Sequence, residues 1–193
     1  MFGYGLRLGA IALPASLVLL LLGHRGTHRP ISVQPRAAEA SSSPIYFSPS
    51  TNLEEVDLSL IGRAEHSIDV AMYTFTDRRI ATALRRAAER GVTVRIYRDH
   101  EQYEEELRRG STVPSILAGE PHIEVKIKQS SELMHEKAML CDDVLRSGSG
   151  NWSVSAARYQ DNEITVTKDA AEVAAFAREF RVMWERPDNM QVR

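Results

Sequence analysis

Apolar residues recur along this chain with two distinct periods, and these periods predict a series of strands and helices. An apolar residue at every second position predicts seven β-strands, at residues 45–47, 67–75, 92–97, 123–127, 137–141, 144–147 and 163–167. A spacing of three and four residues predicts helices at residues 53–64, 78–90 and 170–185. A weaker helical region at 102–118 is broken around Gly110 and Pro114.

The order of these elements predicts the fold class. Strands and helices alternate in the first half of the chain, and strands cluster in the second half. This arrangement is typical of an α/β domain in which a mixed β-sheet is flanked by helices on both faces. The last helix should pack on the sheet through four apolar residues, which are Val173, Phe176, Phe180 and Trp184.

The length and composition of the chain are those of a single globular domain. It has 193 residues, of which 43% are hydrophobic, enough for one core. We predict the globular domain at 45–187, a linker rich in Pro, Arg, Ala and Ser at 24–44, and a tail at 188–193. The lone cysteine, Cys141, cannot form an internal disulfide, so the fold does not depend on an oxidising compartment.

The first 23 residues have the pattern of a targeting or anchoring segment. An almost unbroken apolar run at 8–22 follows Arg7, as in a signal peptide or a short N-terminal membrane anchor. Ala38-Glu39-Ala40 fits a cleavage rule, but it lies far beyond the apolar run, and arginines after the run resist translocation. We therefore predict an exported protein, periplasmic or extracellular, or one that residues 1–23 hold on a membrane.

The globular part of the chain is acidic. The whole chain has 24 basic and 26 acidic residues; residues 1–43 hold four arginines and one glutamate, which leaves 20 basic and 25 acidic residues and a net charge of −5. An acidic domain binds nucleic acid poorly without a local basic patch. Lys126 and Lys128 project from one predicted strand face, and they are either an ordinary solvated face or a patch that guides a polyanion.

One cluster of residues carries the chemistry of phosphodiester cleavage. His135, Lys137 and Asp142 form the pattern His-x-Lys-x4-Asp, and Gly148-Ser149-x-Asn151 follows. An imidazole can attack phosphorus and can also protonate a leaving oxygen near neutral pH. An ammonium, a hydroxyl and an amide can together hold the phosphate oxygens. We therefore predict His135 and Lys137 as catalytic residues, Lys137, Ser149 and Asn151 as substrate-binding residues, and no metal or cofactor.

The predicted strands bring these residues to one place. His135 and Lys137 are two positions apart, so they point to the same side of a strand. A hairpin turn at Asp142-Asp143 would return the chain antiparallel and bring Ser149 back towards His135. Glu163 begins another strand, where its carboxylate could accept a hydrogen bond from the imidazole and fix its tautomer.

The same residues resemble the HKD motif of the phospholipase D superfamily. The likeness extends to Phe47-Ser-Pro, to the stretch 67–76 and to 90–96, and so covers about residues 45–186. It is strongest to the small single-motif branch, which includes bacterial endonucleases and mitochondrial cardiolipin hydrolases. The resemblance implies the phospholipase D/nuclease-like fold, a covalent phosphohistidine on His135, and a homodimer in which the same histidine of a second subunit is the general acid.

The resemblance also assigns the remaining positions of the motif. It implies that Glu163 orients the histidine and that Asp142, grouped here with the catalytic candidates, has a structural or supporting role. The family usually has six residues between the motif aspartate and glycine, whereas this chain has five, 143–147. A change of one residue reverses the facing of a strand unless a turn or bulge absorbs it, so the shortening bears on Ser149 and Asn151.

Other arrangements of the same residue types have less support. His100, His122, His135 and Cys141 could be imagined as a zinc site, but their spacing matches no common zinc pattern. The substrate is nucleic acid by resemblance to the endonucleases, or a phospholipid such as phosphatidylcholine or cardiolipin because the domain is acidic and the N-terminus apolar. A membrane-tethered binding protein without activity is a third hypothesis, and intact His135 and Lys137 argue against it.

Overall fold

An eight-stranded sheet forms the centre of the domain in a computed structural model that describes residues 43–192. In chain order the strands are β1 (Ile45–Ser48), β2 (Ser67–Met72), β3 (Thr93–Asp99), β4 (Ile123–Lys128), β5 (Lys137–Cys141), β6 (Val144–Gly148), β7 (Asn162–Thr167) and β8 (Met190–Val192). Their order across the sheet is β1-β7-β6-β5-β2-β3-β4-β8. Strands β2, β3 and β4 are parallel and the other neighbours are antiparallel, so the sheet is mixed, as predicted.

Helices cover both faces of this sheet. They are α1 (Leu53–Arg63), α2 (Arg78–Glu89), α3 (His100–Arg108), α4 (Val113–Leu117), α5 (Val154–Arg158) and α6 (Ala170–Trp184). Helices α1, α2 and α4 enclose the larger core on one face, and α6 packs on the other face through the four apolar residues that its spacing predicted. The predicted α/β architecture, with helices on both faces of a mixed sheet, is therefore confirmed.

The two faces are separated by the alternation of side chains along the central strands. In β2, Val70 and Met72 enter the core under α1 and α2, whereas Ala71 packs on the α6 side. In β5, Met139 lies in the larger core and its neighbours Ala138 and Leu140 face α6. Lys137 is two residues from Met139 and therefore belongs to the α1 and α2 side of the strand.

Local signals explain where several helices begin. The side chains of Asn52, Asp77, Asp99 and Asp169 accept hydrogen bonds from backbone N–H groups of the first turns of α1, α2, α3 and α6. Because Asp99 caps α3, this helix begins at His100, two residues before the predicted start. Pro114 lies in the first turn of α4, where its missing N–H costs nothing, so it begins a helix after the break at Gly110.

Three elements differ from the predicted pattern. Strand β2 ends at Met72 rather than Phe75, because the next residues leave the sheet and pair with Asn151-Trp152. The short helix α5 was not predicted, although Ser153 caps it. The predicted tail at 188–193 contains β8, which pairs with the edge of β4. The predicted targeting segment and most of the linker lie outside the described residues; within 43–192, no helix combines the length and apolar character that a membrane crossing needs.

Candidate active site

The β5–β6 hairpin carries both halves of the motif. Cys141 pairs with Val144 across a two-residue turn, and Asp142 takes the left-handed conformation, φ +50°, that such tight hairpins need. Ala138 pairs with Ser147, so Gly148 and Ser149 come to the same end of the hairpin as Lys137 and His135. The ladder from Cys141 to Ala138 is continuous.

His135 lies on an exposed segment immediately before β5, and an aromatic ring contacts it. The ring centroids of His135 and Tyr73 are 4.6 Å apart, and the Nζ of Lys137 lies 5.0 Å from the Tyr73 centroid. Lys137 Nζ also donates a 2.6 Å hydrogen bond to the backbone oxygen of His135. Tyr73 therefore contacts both residues of the His-x-Lys pair, and the sequence analysis did not predict it as a site residue.

The position of Tyr73 follows from the end of β2. Its backbone N–H donates to the oxygen of Glu136, which continues the β2–β5 ladder by one residue beyond Met72 and Lys137. An aromatic residue directly after a buried strand was the only signal in the sequence. Burial raises the pKa of the Tyr73 hydroxyl, and the carboxylates of Asp99, Glu101 and Glu106 raise it further. The phenol therefore keeps its proton and can donate a hydrogen bond, and its ring packs against the imidazole.

Lys137 is the charged residue that lies deepest in the site. Only 9% of it is exposed, although it carries an ammonium group. Burial lowers the pKa of Lys137 from its ordinary value, and the neighbouring negative charge of Glu136 opposes this change. A positive charge interacts more strongly with a phosphate where water is partly excluded than it would in bulk solvent.

Ser149 and Glu163 contact each other directly. The Ser149 Oγ lies 2.6 Å from Oε2 of Glu163 and 3.1 Å from Oδ1 of Asn162, and it accepts a hydrogen bond of 3.0 Å from the Glu163 backbone N–H. The sequence analysis predicted the imidazole of His135 as the partner of the Glu163 carboxylate. In the structure this carboxylate bonds to Ser149, because β6 and β7 are neighbours and their register continues to this pair.

Asn151 joins the hairpin to the end of β2. Its Oδ1 accepts a hydrogen bond of 3.2 Å from the backbone N–H of Thr74, and the next residue, Trp152, bonds through its backbone to Thr74 and Thr76. With the side-chain oxygen used in this way, the amide N–H groups are the part of Asn151 that can meet a phosphate oxygen. Asn151 is thus brought to the Tyr73 side of the site, and its role in phosphate binding stays a prediction.

Asp142 lies at the opposite end of β5 from His135, seven residues away, or roughly 23 Å along an extended chain. Its carboxylate accepts three hydrogen bonds of 2.9 to 3.0 Å from the backbone N–H groups of Glu65, His66 and Ser67. Grouping Asp142 with the catalytic candidates is therefore corrected. Its carboxylate ties the tip of the hairpin to the connection between α1 and β2.

The remaining candidate residues are used elsewhere. Lys126 Nζ donates to the Trp184 oxygen at 3.0 Å and Lys128 Nζ to the Glu132 oxygen at 2.5 Å, so both ammonium groups are bonded to backbone oxygens, and a polyanion-guiding role for them stays a prediction. Within residues 43–192, His, Cys, Asp and Glu side chains form no group of three or more that could hold a metal. Cys141 is buried in the core, and burial raises the pKa of its thiol to about 12.

Comparison with known protein sequences relates most of this domain to one family. A family model described as the PLD-like domain of cardiolipin synthase matches residues 58–184. The chain is 33% identical over 133 residues to the mitochondrial cardiolipin hydrolase of Xenopus tropicalis. The aligned region covers 68% of this chain and 60% of that protein. The Drosophila melanogaster protein of the same name is 31% identical over 145 residues, covering 64% and 55%. The chain therefore spans less than two thirds of the length of these relatives.

Solved structures show the same fold. Nuc from Salmonella typhimurium, a phospholipase D family member, has a TM-score of 0.71 at 24% identity and covers 79% of this chain and 98% of Nuc. NucT from Helicobacter pylori has a TM-score of 0.68 at 25% identity, covering 75% and 96%. The family model spans well over half of the chain, and the residues it matches include the hairpin that brings His135, Lys137 and Ser149 to one end of the sheet. On these grounds the chain belongs to the phospholipase D superfamily.

Proposed function

We propose that this protein is a metal-independent phosphodiesterase that works through a phosphohistidine on His135. The observation that carries the proposal is the meeting of an exposed imidazole, a largely buried ammonium and a serine–asparagine loop at one end of the β5–β6 hairpin. These groups supply a nucleophile, a fixed positive charge and neutral donors, which are what cleavage of a phosphodiester requires.

The reaction has two displacements at phosphorus. In the first, a ring nitrogen of His135 forms a bond to phosphorus while the bond to one ester oxygen breaks, and that oxygen takes a proton as the alcohol leaves. In the second, water attacks phosphorus, the P–N bond breaks, and a phosphomonoester is released. Lys137 and the amide of Asn151 hold the phosphate oxygens, on which negative charge is greatest during each displacement, and the Ser149 hydroxyl joins them when its one proton turns from Glu163 to the phosphate.

A second acid–base group is needed for the leaving oxygen and for the water. We propose that His135 of a second subunit supplies it, because one chain carries one His-x-Lys pair. Glu163 acts on the site through Ser149, whose hydroxyl it holds at 2.6 Å. The orienting contact between Glu163 and His135 stays a prediction.

Nucleic acid is the substrate that we propose first. The resemblance of the whole domain to the single-motif endonucleases supports it, and His135 stands exposed beside the sheet, where a long polyanionic backbone could reach it. A second candidate is a membrane phospholipid. The relatives named as mitochondrial cardiolipin hydrolases favour it, as do the description of the family model and the acidity of the domain. Export, or anchoring through residues 1–23, belongs to the same proposal, and anchoring would bring the site to a membrane surface.

One set of assays tests the reaction and separates the substrates. The full chain, purified in mild detergent, is incubated in EDTA with single-stranded DNA, RNA, cardiolipin vesicles and phosphatidylcholine vesicles. We expect cleavage of at least one of these, with nucleic acid cut fastest. His135→Ala should lower kcat by about 10³-fold or more, because the nucleophile is lost.

The matched control is His122→Ala, which removes another exposed imidazole outside the hairpin and should leave kcat unchanged. Activity that disappears in EDTA and returns with zinc or magnesium would rule out the metal-independent reaction. Wild-type turnover by His135→Ala on every substrate would rule out the phosphohistidine.

A further inference from the structure

A fully buried arginine lies beneath the site and contacts both halves of the motif. Arg146, in the middle of β6, has 0% of its surface exposed. Its Nη1 donates to the backbone oxygen of Lys137 at 2.8 Å, and its Nη2 donates to the backbone oxygen of Gly150 at 2.8 Å. One guanidinium group therefore joins the strand that carries the ammonium to the loop that carries Ser149 and Asn151.

Asp57 of α1 balances the charge of this arginine. Its carboxylate accepts from Arg146 Nε at 2.8 Å and from Nη2 at 3.2 Å, and from the Trp152 indole N–H at 2.9 Å. Only 1% of Asp57 is exposed. Trp152 directly follows Asn151, so the carboxylate holds the loop from one side while the arginine holds it from the other.

Stability alone is a weak reason for this arrangement. Burying two charges costs free energy that their attraction often fails to recover, and apolar residues of similar volume frequently replace such pairs without loss. The planar, rigid fork of an arginine instead fixes the relative positions of the groups that it bonds. Here those groups are the backbone segments that hold the phosphate-binding side chains.

We propose that Arg146 and Asp57 are positioning residues for the phosphodiesterase reaction, and that they set the separation between Lys137 and the Ser149–Asn151 loop. The proposal rests on the proposed function. Neither residue touches the substrate. A shift of about 1 Å in the groups around a reacting phosphate can cost about 10²-fold in rate, which is the size of effect that such a support controls.

The test separates positioning from stability through a double variant. Arg146→Met alone leaves the Asp57 charge buried without its partner and should destabilise the protein. Asp57→Asn combined with Arg146→Met removes both charges and keeps a side-chain oxygen for the Trp152 indole. We expect its thermal midpoint to lie between those of Arg146→Met and the wild type, because the carbonyl oxygens of Lys137 and Gly150 lose their donor, while kcat falls at least about tenfold.

Arg95 and Asp69 give a matched control. They form a bidentate pair of 2.7 and 2.6 Å between β3 and β2, but neither side chain bonds to the backbone of the motif. Asp69→Asn combined with Arg95→Met should leave kcat within about twofold of the wild type. Arg146→Lys keeps the charge but not the fork, so its kcat should lie between those of the wild type and the Arg146 double variant.

The outcomes are distinct. A folded Asp57/Arg146 double variant with wild-type kcat overturns the proposal. If that variant does not fold, Arg146→Lys decides: lowered kcat at wild-type stability supports positioning, and wild-type kcat overturns it. Failure of both variants to fold assigns a purely structural role and also overturns it.

Failure of the proposed function is recognised separately. If the wild type cleaves no phosphodiester, binding of inorganic phosphate is followed through the His135 imidazole signals in NMR spectra. Weaker phosphate binding by the Asp57/Arg146 double variant than by the Arg95 control then supports positioning of the phosphate site. Equal binding by the two overturns it.

Discussion

At the scale of single residues, Gly148 decides whether the phosphate-binding loop can follow β6. Its φ is +151°, and a Cβ at this position would lie 2.3 Å from the backbone oxygen of Glu163 and 2.9 Å from the Cα of Ile164. Both neighbours are backbone atoms of β7, so neither can rotate away. The glycine of the motif is therefore required by the close approach of two strands beside Ser149.

We predict that Gly148→Ala lowers the free energy of unfolding by about 2–4 kcal/mol, because strain and a backbone clash act together. Gly62→Ala is the matched control, since Gly62 lies in α1 with no atom within 4 Å of the added methyl group. It should stabilise the protein by up to about 1 kcal/mol, as alanine is the better helix former. Urea unfolding of both variants checks this, and equal effects at the two positions would contradict it.

At the scale of elements, the β5–β6 hairpin joins the chemistry at one end to an anchor at the other. Asp142 has a positive φ at the turn, and its carboxylate binds three backbone N–H groups before β2. Burial alone would raise the pKa of Asp142, but the backbone hydrogen bonds from Glu65, Ser67 and His66 outweigh burial and hold this pKa below its ordinary value of 3.8. The ionised form is therefore the one that stabilises the fold.

A pH-dependent loss of stability follows from this depressed pKa. The contribution of Asp142 should be fully present above about pH 4 and should be lost as the pH falls through the lower pKa of the folded state. Asp142→Asn, which tolerates the left-handed turn, should cost about 1–3 kcal/mol at pH 7 and less as the pH falls. Urea unfolding of both proteins from pH 7 to pH 2 measures the difference, and a constant difference would contradict the role of the charge.

The same variant separates an anchor from a catalytic group. Because Asp142 lies at the far end of β5, folded Asp142→Asn protein should keep kcat within about twofold of the wild type at pH 7. A fall comparable to that of His135→Ala would return Asp142 to the catalytic residues.

At the scale of the whole molecule, the proposed reaction needs two copies of the chain. A two-fold axis brings the same surface of each subunit together. His135 is exposed beside the end of the sheet, so this end could face its symmetry-related copy across one cleft.

We predict that mixed dimers of wild-type and His135→Ala chains are inactive, because each shared cleft would hold a single His135. When equal amounts of the two chains have exchanged subunits, about a quarter of the dimers are purely wild-type. Activity should therefore be about a quarter, rather than a half, of that of wild-type protein at the same total concentration. Titration of wild-type protein with His135→Ala, with light scattering at the assay concentration, measures this. A linear dependence, or full activity from a monomer, would contradict the shared site.

Local rules were sufficient to predict much of this molecule from its sequence. Apolar periodicity predicted the mixed sheet, the helices on both faces and the inward side of α6, because these patterns depend on neighbours along the chain. The two-residue spacing of His135 and Lys137 and the turn at Asp142-Asp143 likewise predicted a hairpin whose open end collects the motif. These predictions needed only two facts: which side of a strand each residue faces, and that the next strand runs antiparallel after the turn.

The tertiary structure alone decided which groups meet across the sheet. Strand order and register place Ser149 against the Glu163 carboxylate, and they bring Tyr73 to the His-x-Lys pair. In the sequence Arg146 resembles an ordinary polar residue of a strand. In the structure α1 covers it, and the Asp57 carboxylate balances its positive charge. Periodicity specifies a face of a strand, but the partner on that face can come from a distant segment, as Asp57 comes from 89 residues before Arg146, and no local pattern records such packing.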